Sequence, residues 1–338
     1  EFCAERGVPY VAWEIDPSTE RVPPVSRPVP DAHVHTYRRA HVEEYRAAGF
    51  ERVEYTPLAA DVLARQPAET SGERPERYEV DLAFVGASMV TRGRQCRAEF
   101  LAHYRAWAER EGVDPDGVEA IVEALLVEQR AEPFDYRLSE RLRDALGDFV
   151  EDHERRLATG ETHTRLEALL GEVAAAEKRL NLIAGLGRFA PSVWGDDGWR
   201  AVEAHGAAHR GGAGHTHELN RVYSGARINL DIGRIYQSDI VTMRVFDVLA
   251  CGGFALVEHS PALEELFEVG VELDAYRSVD ELHAKVEHWL AHPEERRAVA
   301  QRGLQAVRER HAMQARLEGL LAPLAVAGIP ASVDSAEA

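Results

Sequence analysis

Four polar residues stand close together in the second half of this chain: Asp239, Thr242, Arg244 and Asp247. They lie in a stretch, Ala226 to Phe267, that alternates between β and α signals. Arg227 to Ile232 reads as a strand, Gly233 to Asp239 as a loop, and Thr242 to Ala250 as a short helix that starts at Thr242-Met243-Arg244. Cys251-Gly252-Gly253 ends that helix, because glycine accepts the left-handed conformation a helix stop requires. Phe254 to Val257 is a buried strand, and Ala262 to Phe267 a further helix. In an open α/β sheet, ligands bind beyond the carboxyl ends of the strands, beside helix amino termini. The unpaired amides and partial positive charge of such a terminus suit a diphosphate. Thr242 adds a hydroxyl donor and Arg244 a guanidinium for the same anion. Asp247, further along the helix, can accept bonds from two ribose hydroxyls, and Asp239 lies eight residues earlier on the loop facing the site.

Plainer readings stand beside these. Asp247 could be a solvated position on an amphipathic helix. Arg244 could be its surface ion-pair partner at spacing i, i+3. Gly252 and Gly253 serve backbone shape first and any approach to a ligand second. Trp194 packs in the core rather than stacking on a base. Ser278 with Glu281 fits a helix capping box.

A second chemistry is written in Asp31-Ala32-His33-Val34-His35. Histidines two apart on a strand share a face and can grip a metal. His215 and His217 form a second pair, and a downstream carboxylate could complete a site. Metal-dependent amidohydrolases open with such a pattern. Their fold is an eightfold β/α barrel, however, and here a long helical stretch occupies the place of several βα units. Thr91 to Arg97 is a small basic cluster, suited to phosphate or simply to opening a helix. Cys3, Cys96 and Cys251 are far apart and form no CxxC pair, so neither a zinc knuckle nor a redox motif is indicated, and the odd count suits reduced thiols in the cytoplasm.

The elements that must position these groups follow from composition and rhythm. With 338 residues, 45% of them apolar, the chain has the makings of two globular domains. No apolar run is long enough to span a bilayer, and no basic-then-apolar leader opens the chain. It begins at Glu1 and inside an apparent helix, so upstream residues are expected to be missing. A net charge of −19 disfavours nucleic acid and anionic lipid as partners, so an anionic ligand needs a local basic or dipolar site. Lys178 and Lys285 are the only lysines; arginine supplies the rest of the positive charge. Strands are expected at Val8 to Trp13, Ala32 to Thr36 and Val53 to Thr56, with a helix from Arg39 to Ala48, a rhythm that implies parallel pairing. Gln66 to Arg77 reads as a linker and Val80 to Val85 as a new strand. Residues 95–180 read as inserted helices, either a solvated bundle or a platform for an acceptor or a second copy. The α/β rhythm resumes at Ser192 and runs to about residue 290, charged helices cover Pro293 to Leu321, and the end frays.

The run RVFDVLACGGFALVEHSPALEELFEVGVEL, from Arg244 to Leu273, resembles the CgeB-like (spore maturation protein type) glycosyltransferases of the broad group-1 clan. Flanking segments keep the family's order: Val193 to Trp199, His209 to Gly212, Glu218 to Ile232 and Tyr276 to Gly303. Ala12 to Thr19, Tyr45 to Asp61 and Asp81 to Arg94 resemble its earlier part. The resemblance implies a GT-B fold, two Rossmann-like domains facing across a cleft with the donor held mainly by the second. It divides the chain into a partial acceptor-side domain (1–78), a nucleotide-sugar-binding domain (79–325) with a helical insertion at 95–180, and a flexible tail (326–338). Clan members carry two acidic residues separated by seven others. The matching Asp247 would contact the donor ribose and Asp239 the transferred sugar, both Asp where Glu is commoner. Basic phosphate ligands after the first glycine turn map to Arg92 or Arg94, following Gly86.

The expected site therefore comprises Asp239 and Arg244 as catalytic residues. Asp247, Thr242, Met243, Gly86, Arg92, Gly195, Gly252 and Gly253 would bind the donor. No metal or cofactor is expected beyond the nucleotide-diphosphate sugar, which is a substrate. The leading expectation is a metal-independent, retaining glycosyltransferase of the hexosyl type, cytoplasmic, acting on an unidentified acceptor. A non-catalytic GT-B-fold binding or structural protein is the alternative, and a metal hydrolase using His33 and His35 the third.

Overall fold

A computed structural model describes every residue except 1, 7, 17–21, 23–30, 69–76, 216 and 327–338. Most of the linker expected at Gln66 to Arg77, and nearly all of the tail expected at 326–338, therefore lie outside the described residues. The chain is α/β with two separate parallel sheets.

A short helix α1 (Phe2–Glu5) precedes strand β1 (Tyr10–Glu14), followed by β2 (Ala32–Thr36), helix α2 (Arg39–Ala47) and β3 (Arg52–Tyr55). These three strands pair in the order β1-β2-β3, with Val34 opposite Ala12 on one side and Val53 on the other. All five residues of the central β2 are buried, whereas β1 and β3 are partly exposed, as a strand paired on both sides differs from its edges.

The second sheet opens with β4 (Leu82–Val85). Four helices follow: α3 (Val90–Glu111), α4 (Val118–Ala131), α5 (Leu138–Thr159) and α6 (Leu166–Gly185). Then come β5 (Ser192–Trp194), β6 (Ala208–His209), α7 (His217–Gly225), β7 (Ile228–Asp231), α8 (Met243–Ala250), β8 (Ala255–Glu258), α9 (Pro261–Leu266) and β9 (Asp274–Tyr276). Helices α10 (Val279–Ala291), α11 (Pro293–Arg310) and α12 (Met313–Val326) close the described chain. The six strands pair in parallel in the order β6-β5-β4-β7-β8-β9. Both faces are covered. Ala83, Trp194 and Val257 pack with residues of α7, α8 and α9, while Leu82, Phe84, Leu230 and Leu256 pack with α6 and α10. Continuous burial on both faces explains why the strands read as unbroken apolar runs.

The helical stretch has its own core, built on Phe100, Leu126, Leu138, Phe149 and Leu169. The stretch expected as an insertion at 95–180 shares its last helix with the sheet. Its last helix, α6, places Leu166, Leu169 and Leu170 in that core, and Leu182 and Ile183 in the core of the sheet. The first of its helices starts earlier than the expected residue 95, at Val90, because Met89 adopts a left-handed conformation (φ 64°) that turns the chain into the helix. The far end of the chain returns to the first sheet. Ala60 donates to His311 O at 2.9 Å and accepts from Met313 N at 2.7 Å. From there α12 lies beside β2 and β3, where His35, Glu54, Tyr55, Arg310, Arg316 and Leu320 line a pocket of about 250 Å³.

Candidate functional site

The strand order fixes where a ligand can bind. From β4 the chain steps to β5 and β6 on one side, then returns to lay β7 against the other side of β4. The loops leaving β4 and β7 therefore diverge, and a crevice opens at the carboxyl ends of those two strands. The β4 loop is held from the β5 side. Gly86 N–H donates to Trp194 O at 2.9 Å, and Trp199 Nε1–H donates to Gly86 O at 2.7 Å. Gly195 permits this approach, since a Cβ there would stand 2.2 Å from Gly86 O. Asp196 accepts from Ser88 N at 2.8 Å, Ser88 Oγ at 2.5 Å and Gly198 N at 2.9 Å. Burial alone would raise the Asp196 pKa, but these bonds to its charged form outweigh it and hold the carboxyl below its usual range.

Charged groups crowd the crevice floor. Asp231, at the end of β7, accepts from Arg244 Nη1 at 2.5 Å and from Thr242 Oγ1 at 2.6 Å. Arg244 also donates from Nε to Val85 O at 2.5 Å and lies over the Phe84 ring. Two of its three nitrogens thus tie β4 to β7, and a Cβ on Gly86 would stand 2.6 Å from the third, Nη2. Arg179, from α6, spans the same gap: Nη1 donates to Ala87 O at 2.9 Å and Nη2 to Ile232 O at 3.2 Å, while the buried Nε has no partner. Burial, with Arg244 and Arg234 nearby, pushes its pKa down to about 9, which leaves it cationic at neutral pH. Beside it Lys178 donates to Glu258 at 2.5 Å at the end of β8, and Glu258 also accepts from Gly233 N at 3.2 Å. Burial drives this pair toward neutrality, lowering Lys178 and raising Glu258, and their mutual attraction opposes it.

Above this floor sits the amino end of α8. Thr242 occupies the cap position with extended backbone but makes no side-chain cap bond. Val245 N–H donates back to Thr242 O, while the amides of Met243 and Arg244 have no partner among the described residues. They are the donors this end of the helix leaves for an anion.

The expected side chains are more committed than their spacing suggested. The Thr242 hydroxyl is spent on Asp231, so it is not a free donor to an anion. Arg244 pairs with Asp231 rather than with Asp247, because its reach is toward the strand ends. Asp247 is not a solvated surface position: its side chain is largely enclosed. Arg65, from the segment after β3, stands 3.0 Å from its carboxylate, and burial raises its pKa against the pull of that cation. Asp239 accepts from Arg38 Nε and Nη2 at 3.1 and 2.8 Å. Met243 is half-buried against the core, and Arg92 and Arg94 are exposed on the first turns of α3.

Gly252 and Gly253 require a correction. They lie at the carboxyl end of α8 and the amino end of β8, about 12 Å along the helix from Met243. Their surroundings are Pro67, Tyr223 O and the Asn229 amide, not the crevice. The histidine motif also resolves into ordinary contacts. His33 Nε2 lies 2.8 Å from Arg52 Nη1, a cation that would repel a metal, and His35 Nδ1 lies 3.0 Å from Thr56 Oγ1. Two open sheets replace the barrel a hydrolase of that type needs, and no cluster of three metal-binding side chains exists among the described residues.

Sequence reasoning missed Asp231, Glu258, Lys178 and Arg179 as parts of the site. One signal was present: Lys178 is one of two lysines and stands beside Arg179 in a Leu- and Ala-rich helix that is buried along most of its length. Cations on such a helix need a buried partner.

Residues 175–322 match the family described as Glycosyl transferase-like. That match starts inside α6, ahead of Lys178 and Arg179. No curated protein matches the chain. Among solved structures, sucrose-phosphate synthase from Thermosynechococcus elongatus is similar with a TM-score of 0.50 at 11% identity, over 88% of this chain and 59% of that one. The chain thus spans less than two thirds of that enzyme's length. Anabaena Alr3699/HepE, in complex with UDP-glucose, is similar with a TM-score of 0.53 at 9% identity, over 96% of this chain and 74% of that one. No described helix is long and apolar enough to cross a membrane. The fold is that of the GT-B glycosyltransferases, and the segment from α6 to α12 carries the Glycosyl transferase-like match.

Proposed function

We propose that this chain moves a sugar from a nucleotide-diphosphate donor to an acceptor, with the diphosphate seated at the amino end of α8. The observation that carries this is the pair of amides at Met243 and Arg244, without partners among the described residues, opening on a switch-point crevice whose floor holds Arg244 and Arg179. An anion there meets aligned amide dipoles and fixed guanidinium charge, which stabilise the diphosphate as negative charge grows on it during departure. Fixed cations do the work that a divalent metal does elsewhere, so the reaction is read as metal-independent. Asp239 would lie beside the transferred sugar, and Asp247 would take the ribose once Arg65 moves aside. Retention follows from the family resemblance, with the departing diphosphate itself assisting deprotonation of the acceptor. UDP-glucose, the ligand of the HepE complex, is the first donor to try. The three free cysteines suit a reducing, cytoplasmic setting.

Titration calorimetry with a panel of nucleotide sugars tests the reading. Saturable heat is expected with at least one donor, and Asp247→Ala weakens it. Heat with none of them ends the proposal. Binding without release of nucleotide, in the presence or absence of acceptors, would instead favour a non-catalytic role, a reading suggested by both Asp239 and Asp247 being already held by arginines.

A further inference from the structure

Arg38 follows β2 in the first sheet and reaches across to the loop after β7. Its Nε and Nη2 both donate to the same oxygen of Asp239, Oδ1, at 3.1 and 2.8 Å. Nη2 also reaches Tyr236 O at 3.3 Å. The other carboxylate oxygen, Oδ2, is enclosed and has no hydrogen-bond partner among the described residues, while the side chain as a whole is 30% exposed. A bare carboxylate oxygen away from water is costly, so a hydroxyl that reached Oδ2 would relieve that cost.

The guanidinium is itself held in place. Its Nη1 lies 3.3 Å from His41 Nε2, and Arg165 Nη1 lies 3.4 Å from the same nitrogen. Guanidinium groups only donate, so Nε2 must accept and the proton must sit on Nδ1. Nδ1 then donates to Glu14, whose two oxygens are both 3.1 Å away. Thr36 donates its hydroxyl to Glu14 as well. Burial opposes the charged form of Glu14, but the His41 and Thr36 bonds hold it below the usual carboxylate range. The result is a directed chain through buried and half-buried groups, from Glu14 through His41 and Arg38 to Asp239. A surface ion pair would need no such support.

We propose that Arg38 is a positioning residue for the donor sugar: it grips one oxygen of Asp239 so that the other, uncovered as the donor enters, accepts a hydroxyl of the transferred hexose. This rests on the donor reading above and adds to it a residue from the opposite sheet. Through Arg38 the first sheet sets the geometry at the sugar, while leaving the nucleotide half of the donor to the second.

The test compares UDP, which lacks the hexose, with UDP-glucose, by calorimetry on the full chain and on Arg38→Met and Arg38→Lys. Arg38→Met is expected to leave the Kd for UDP within about twofold and to weaken UDP-glucose about tenfold, the loss of one charge-assisted bond. Arg38→Lys, a point charge without the fork, should recover part of that difference. It also serves as the readout if Arg38→Met unfolds. A general structural role would weaken both ligands together, so an unchanged ratio of the two Kd values overturns the proposal and leaves the donor reading standing. Failure of the unaltered chain to bind either ligand overturns both.

Discussion

Around the central strands β4, β7 and β8, the carboxyl edge of the six-stranded sheet gathers Lys178, Arg179, Asp231, Arg244 and Glu258, their side chains all largely enclosed. At the amino ends of the same strands the hydrogen bonds to the strand ends are neutral, although the enclosed Arg65–Asp247 pair stands beside Cys251. Asn229 donates to Tyr223 O at 3.0 Å, Ser224 to Cys251 O at 2.8 Å, and Gly253 leans on Tyr223 O. The charges there, Arg227 with Asp81, are paired in the open. The amino ends of β4, β7 and β8 themselves are satisfied by neutral groups, although at the neighbouring β9 the buried Asp274 pairs with Lys285 at 2.8 Å. Ends of these three strands therefore do not require buried charge, and since buried ions are costly to hold, the charges gathered at their carboxyl ends are the feature to test.

The sharpest way to break this comparison is to remove one member of the Lys178–Glu258 pair. Lys178→Met leaves a carboxylate stranded at a buried strand end, and the expected loss is about 3–5 kcal/mol in denaturant unfolding. Adding Glu258→Leu should restore most of it, because two apolar groups tolerate burial that one unpaired ion does not. If the single variant unfolds at the same denaturant concentration as the parent, the pair is solvated and the contrast between the edges fails.

A second pair of changes separates shape from ligand. Gly253→Ala at the amino edge puts a Cβ 2.4 Å from backbone, at Tyr223 O, and should cost about 1–3 kcal/mol of stability. Nucleotide affinity of the folded protein should be unchanged. Gly86→Ala at the carboxyl edge meets Arg244 Nη2 at 2.6 Å and the Phe84 ring at 3.2 Å, side chains rather than backbone, so it should displace the guanidinium and weaken nucleotide binding. Equal effects of both substitutions on affinity would show that the edges do not divide the work.

That division also explains what could be read in advance. Strands such as Ala32–Thr36 and Ser192–Trp194, and helix α8 with its start at Thr242, were legible because apolar runs and helix caps are local signals. The crevice was legible from strand–loop–helix order. Its ion pairs were not. Asp231 meets Arg244 thirteen residues on, Lys178 meets Glu258 eighty residues on, and Arg38 meets Asp239 across 201. Such partners are chosen by packing, which periodicity does not encode. Gly252 and Gly253 went astray for the opposite reason: their local meaning, a helix stop, was right, but a helix that starts at the crevice necessarily ends at the far edge.

The smallest expected effect is a control on the carboxyl edge itself. Ser278 follows β9 and caps α10, its hydroxyl accepting from Glu281 N at 3.1 Å, while Glu281 reaches back to Arg277 N at 2.7 Å. Ser278→Ala removes one side of that exchange and should cost about 1 kcal/mol, as a lost helix cap does. The cap is neutral and stands at the edge strand, away from the β4–β7 crevice. Its loss should lower the midpoint of thermal unfolding without moving any nucleotide Kd. A shift in affinity here would mean that the whole carboxyl edge responds to stability alone, and the special standing given to the buried charges at β4, β7 and β8 would have to be withdrawn.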